Sequence, residues 1–167
     1  DARSVMQSVL GVSSAVCYNH VLSADGHFVA FQANTNSNTA TVTCGIILRY
    51  NVQSGATDLV NTNANVASGA YDDIRSLDMS SDGRRIAFVG NSNDMSGATS
   101  CILVWDAETG ATVLASGTTN GTVPANTTCQ WLAMDVSGRY VSFLTDAASL
   151  TANPLLSGYH LYVRDLQ

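Results

Sequence analysis

Apolar and polar positions alternate along this chain in short runs, the period-two pattern of strands lying half buried in a sheet. His27-Phe-Val-Ala-Phe31, Ile46-Ile-Leu-Arg-Tyr50, Arg85-Ile-Ala-Phe-Val89, Cys101-Ile-Leu-Val-Trp105 and Tyr140-Val-Ser-Phe-Leu144 are rich in β-branched and aromatic residues, which pack well on a pleated surface. Asp-Gly, Ser-Gly and Thr-Gly pairs separate the runs, and glycine supplies the positive φ that tight hairpins need. Capped helical periodicity is absent, and Pro124 and Pro154 both fall in the loops.

Aligned against itself, the chain shows three copies of one unit. Leu22-Ser-Ala-Asp-Gly-His-Phe-Val-Ala-Phe31, Met79-Ser-Ser-Asp-Gly-Arg-Arg-Ile-Ala-Phe88 and Met134-Asp-Val-Ser-Gly-Arg-Tyr-Val-Ser-Phe143 correspond, with Gly26, Gly83 and Gly138 at intervals of 57 and 55 residues. A second set follows: Ile46 to Gly55, Cys101 to Gly110, and His160 to Gln167, in which Asn51, Asp106 and Asp165 align. Each unit reads as four strands, a tight turn joining a to b and another joining c to d. The expected fold is all-β: three four-stranded antiparallel β-propeller blades in one segment, 1–167. Blade 1 is residues 13–62, blade 2 is 70–118, and blade 3, incomplete, is 126–167.

The motif Ser-x-Asp-Gly-Arg-x-Ile-Ala-Phe, followed by an apolar strand and Asp-x-x-Thr-Gly, resembles the TolB-type propeller repeat across nearly the whole chain. That resemblance implies a family of periplasmic and secreted propellers that bind proteins or sugars, or that accompany hydrolase domains. Blade 3 departs from it, with Ser137 where the others carry Asp25 and Asp82, and a weaker turn is expected there.

Residues 1–12 do not open a blade. Set after Gln167, Asp1 onward continues the third unit without gaps: Arg164–Gln167 followed by Asp1–Gln7 aligns with the segment from Trp105 to Ala115. Arg3, Ser4, Val5, Met6 and Gln7 are therefore expected to form an orphan outer strand that completes an unfinished blade 3. Three blades are too few to close a ring, and an open strand c invites pairing. Reciprocal donation between two copies predicts a six-bladed dimer, and non-closing donation a head-to-tail filament. Neighbouring blades of a longer chain are the alternative source.

Charge narrows the partners. Thirteen acidic residues against seven cations give a net charge of -6, which disfavours nucleic acid and anionic membrane surfaces. No apolar run approaches the ~20 residues that span a bilayer. Cys17, Cys44, Cys101 and Cys129 have no zinc-ligand spacing. An even count in a Ser/Thr/Asn-rich chain suggests two disulfides and a secreted, extracellular or periplasmic location. The preferred pairing is Cys17 with Cys44 and Cys101 with Cys129, one of three that four cysteines allow.

The b–c and d–a loops are long and share one face of the blades, where binding groups usually sit. Tyr18, Tyr71, Asp72, Asp73, Arg75, Gln130 and Trp131 cluster near that end as candidates for carbohydrate or peptide binding. For Trp131, a core position on an apolar strand is the plainer reading. No nucleophile elbow, HExxH or phosphate loop occurs, His20 has no arranged nucleophile, and no cofactor is implied. Asn91 to Asp94 and the Asp72–Asp73 pair offer oxygen ligands but lack the EF-hand spacing. Asn120 and Asn126 head glycosylation sequons in one loop. The expected function is a non-enzymatic structural or interaction module assembled by strand completion. A glycan- or peptide-binding propeller, and a propeller fragment of a larger hydrolase or lyase, are the alternatives.

Overall fold

A computed structural model describes residues 1, 4, 5, 7, 8, 11, 16–34, 46–61, 77–91, 100–118, 128–153 and 155–167. Eleven strands are present among them: β1 (Val16–Leu22), β2 (Phe28–Asn34), β3 (Ile46–Asn51), β4 (Thr57–Leu59), β5 (Leu77–Met79), β6 (Arg85–Asn91), β7 (Ser100–Asp106), β8 (Thr112–Leu114), β9 (Gln130–Met134), β10 (Tyr140–Thr145) and β11 (His160–Asp165). They form three antiparallel sheets in chain order: β1-β2-β3-β4, β5-β6-β7-β8 and β9-β10-β11. A 3-10 turn at Ala148–Leu150 follows β10.

The first tight turn repeats atom for atom. Asp25 Oδ1 accepts from Ser23 Oγ (2.5 Å) and His27 N (2.9 Å), and Asp82 Oδ1 accepts from Ser80 Oγ (2.6 Å) and Arg84 N (3.0 Å). Gly26, Gly83 and Gly138 have φ of 72, 71 and 71°, the left-handed region that a Cβ disfavours. The third turn, where Ser137 replaces the aspartate, keeps a hydroxyl–carboxylate bond because its two polar groups have exchanged places. Asp135 stands at the position of Ser23 and accepts from Ser137 Oγ (2.5 Å) and Tyr140 N (2.6 Å). The hydroxyl–carboxylate bond survives with donor and acceptor on swapped positions.

The second turn is built on the aligned Asn51, Asp106 and Asp165, whose Oδ1 atoms accept from Gln53, Glu108 and Gln167 N at 2.9, 2.9 and 3.1 Å. The two turns of each sheet are tied by one recurring backbone bond, from Val52 N to His27 O, Ala107 N to Arg84 O and Leu166 N to Arg139 O. Arg84 adds a two-pronged bond to Asp106 (2.9 and 2.8 Å), and Arg139 does the same to Asp165 (2.9 and 2.6 Å).

The core lies between sheets rather than inside any one of them. Ala30, Ile47 and Val60 of the first sheet meet Ile86, Phe88 and Trp105 of the second. Ala87, Ile102 and Val104, on the other face of the second sheet, meet Leu132, Val141 and Phe143 of the third. Strand alternation supplies both faces from one sequence run, since Ala87 points opposite to Ile86 and Phe88. Arg49 crosses the first junction: its guanidinium lies 4.4 Å from the Phe28 ring and 5.2 Å from the Trp105 ring, and its Nη1 donates to Gly83 O at 2.7 Å. Arg85 Nη1 donates to Gly138 O at 2.9 Å across the second.

The opening segment is not extended. Ser4, Val5, Gln7 and Ser8 are helical, with Val5 N donating to Asp1 O (3.2 Å), Gly11 N to Gln7 O (3.0 Å) and Ser4 N to the Asp1 carboxylate (2.9 Å). Val5 packs on Phe31, Ala33 and Leu48 of the first sheet, not beside β11. This corrects the expected strand conformation. A lone segment without an edge to pair with satisfies its backbone groups most simply as a helical turn, capped here by an aspartate. Arg3 and Met6 lie outside the described residues.

Candidate functional site

Two sheet faces stand at the ends of the series, and each is half of a contact the molecule makes twice elsewhere. Ile47, Ile102 and Leu161 occupy the same repeat position. Ile47 and Ile102 are fully buried against the following sheet, whereas Leu161 is 68% exposed. Two residues on, Val104 is 2% exposed and Val163 is 65% exposed. Leu161 and Val163 pair with Leu144 and Ser142 across β10–β11, so their side chains share one face.

At the opposite end, Val29 and Phe31 correspond to Ile86 and Phe88 and to Val141 and Phe143, which are buried against the preceding sheet. Here the face borders a cavity of about 370 Å³ whose walls include Val5, Tyr18, His20, Val29, Phe31 and Tyr50. The lining is mainly aliphatic and aromatic, suited to apolar surface rather than to a charged ligand.

Of the sequence-predicted binding residues, Tyr18 lines that cavity. Gln130 and Trp131 lie on β9 in the third sheet and take no part in it. Tyr71, Asp72, Asp73 and Arg75 lie outside the described residues. Trp131 is 58% exposed, against the core position that its apolar strand suggested. Its φ of 58° explains why, for it sits in an irregularity of the β9–β10 register that turns the side chain out. Asn19, at the equivalent position of β1, has φ of 49° in a matching irregularity, and its Nδ2 donates to Gln32 Oε1 at 2.5 Å. The first strands of the first and third sheets therefore share a bulge, which the residue types did not announce; the equivalent Ser76 lies outside the described residues.

The expected bridge between Cys101 and Cys129 is not formed; both are thiols, as is Cys17, while Cys44 lies outside the described residues. The two chain segments do meet, with Cys129 N donating to Ser100 O (3.0 Å) and Ser100 Oγ to Cys129 O (2.8 Å). The Cys101 thiol is instead turned to Gly90 O at 3.3 Å. Burial pushes Cys101 up to about 11, with the nearby Cys129 adding to the shift, so it is a protonated, unreactive thiol near neutral pH. Burial also raises Cys129.

Leu161 and Val163 were not among the expected site residues, although the repeat alignment carries their signal, since they stand at the positions of the buried Ile102 and Val104.

No family model matches the chain, and no characterised protein matches its sequence. Solved structures do resemble it. Oligogalacturonate lyase from Vibrio parahaemolyticus superposes with a TM-score of 0.52 at 12% identity, over 92% of this chain and 36% of that one. The β-propeller domain of the Trilobed protease from Pyrococcus furiosus, described as having an open velcro topology, gives 0.51 at 14% identity over 89% and 40%. Pyrococcus horikoshii acylaminoacyl peptidase gives 0.50 at 14% identity over 81% and 18%. Likeness at this identity speaks to fold alone: this chain has a β-propeller fold. It spans 40% or less of each of these proteins.

Proposed function

We propose that this chain is a non-catalytic propeller segment, of TolB-type repeat, that works as an extracellular structural or interaction module and assembles with other copies of itself. The observation that carries the reading is the contrast between Leu161, exposed, and its repeat equivalents Ile47 and Ile102, buried. A core position left in water favours association, because burying a leucine or valine is worth about 1.5–3 kcal/mol each. The third sheet supports the same reading: among the described residues β11 has no outer partner where β3 and β7 have β4 and β8. Residues 1–12, whose sequence aligns with that missing strand, are its proposed occupant in a second copy. Converting one helical turn to a strand costs little, since so short a helix is marginal in isolation.

Light scattering on the intact chain and on a chain lacking residues 1–10 tests this. The expected result is a mass above one copy for the intact chain and dissociation on deletion. A single-copy mass for both at every concentration overturns it.

A second reading is favoured by the neighbours' names, two of which are a peptidase and a lyase. There the chain is the propeller part of a larger hydrolase or lyase, and its terminal faces pack on further sheets of the same polypeptide. It predicts a single-copy mass for the isolated segment.

A further inference from the structure

We infer that the open face of the third sheet docks on the outer face of the first sheet of a second copy, closing a ring of two chains. The inference rests on the self-assembly just proposed and specifies the surface through which it occurs.

Three features pass from sheet to sheet in register, and each stops with its two halves at opposite ends of the chain. The first is the buried aliphatic position of Ile47 and Ile102, which ends on exposed Leu161; beside it Val104, where the first sheet carries Arg49, has its equivalent in exposed Val163. The second is a glycine contact. A Cβ on Gly83 would lie 2.4 Å from the Phe28 ring, and one on Gly138 would lie 3.2 Å from Arg85. Phe28 and Arg85 are repeat equivalents, so each sheet presses the same position onto the glycine of the next turn. Among the described residues nothing lies within 4 Å of a Cβ placed on Gly26, and the remaining equivalent, Tyr140, is an exposed aromatic.

The third is a backbone rung between turns. Ala24 N donates to Ser81 O, and Ser81 N to Val136 O, both at 2.9 Å. Continuing the series, Val136 N, in a residue 76% exposed, would donate to an Ala24 carbonyl. Leu161 would meet Val29 and Phe31 as Ile102 meets Val141 and Phe143.

One chain therefore carries both halves of the junction, which makes a second copy the fitting occupant. Two such contacts related by a twofold axis close six sheets into a ring, within the range that propellers adopt. Val5 occupies part of the acceptor face, so docking displaces the opening segment and frees it to reach the partner's β11.

Two variants of the intact chain test the surface. Leu161→Asp alters a side chain that the single chain leaves in water. Gly26→Asn keeps a residue that tolerates positive φ but fills the open spot. In sedimentation or light scattering the intact chain should reach about twice the 17.5 kDa of one copy. Each variant should weaken the association about tenfold or more, with an unchanged far-ultraviolet spectrum at single-copy dilution. A two-copy mass that either variant leaves unchanged overturns the docked faces; dissociation on removing residues 1–10 would then leave strand completion standing. A mass that keeps growing with concentration overturns the closed ring. A single-copy mass at all concentrations overturns both this inference and the reading beneath it.

Discussion

Single residues show how strictly the repeat is enforced. Gly83 needs its hydrogen side chain twice over: its φ is 71°, and the Phe28 ring fills the place of a Cβ. Gly110, with φ of 68°, has open space there among the described residues. Gly83→Ala should therefore destabilise the fold by about 2 kcal/mol or more, from strain and overpacking together. Gly110→Ala should cost about 1 kcal/mol, from strain alone. Urea unfolding of both variants measures the difference, and equal costs would mean that Phe28 yields freely. The third turn offers a test with an unexpected sign. Ser137→Asp brings the residue toward the pattern of the other two turns, yet it sets a second carboxylate against Asp135 and should lower the urea midpoint. Asp135→Ser combined with Ser137→Asp should restore stability, because the pair works with either partner as donor. Only the alignment of Asp135 with Ser23 carries this signal; a glance at the aspartate position alone suggests a defect.

At the scale of elements, ionic pairs hold the tight turns of the second and third sheets together, and pH should reveal them. Hydrogen bonding from Arg84, then from Glu108 N and Arg85, holds the Asp106 carboxyl down to about 2 against the cost of burial. A carboxylate with its folded value depressed stabilises the fold fully above the ordinary carboxylate range and loses that contribution as pH falls towards 2. The Tm should therefore be flat above about pH 5 and fall below about pH 4. Asp106→Asn should lower the plateau by about 1 kcal/mol, discounted for the exposure of Arg84, and flatten part of the acid slope. A slope unchanged by that variant would place the acid sensitivity elsewhere, with the similarly lowered Asp25, Asp82, Asp135 and Asp165. The strands themselves were legible in the sequence because alternation and Asp-Gly turns are local properties. The opening segment was not: Ser4, Val5 and Gln7 align with an outer strand, but a strand exists only where an edge accepts its hydrogen bonds, and within the single chain Val5 packs on the first sheet instead.

For the molecule as a whole, the repeat in the amino-acid sequence determined the number of sheets, the order of strands within each, the turn chemistry, and which positions are apolar. These follow from periodicity and from the φ that each turn requires, and they depend on neighbours a few residues away. Only the tertiary structure decided which of those apolar positions are covered. Ile47, Ile102 and Leu161 are alike as repeat positions, and nothing local distinguishes them; burial separates them because the first two are packed on a following sheet and, among the described residues, the third is not. The same holds for Trp131, which a bulge turns outward, and for Cys101 and Cys129, brought near each other yet kept as thiols. Local pattern dictates what a residue is fit to touch, whereas contact itself requires a second surface at the right distance, and that is a property of the packed molecule alone.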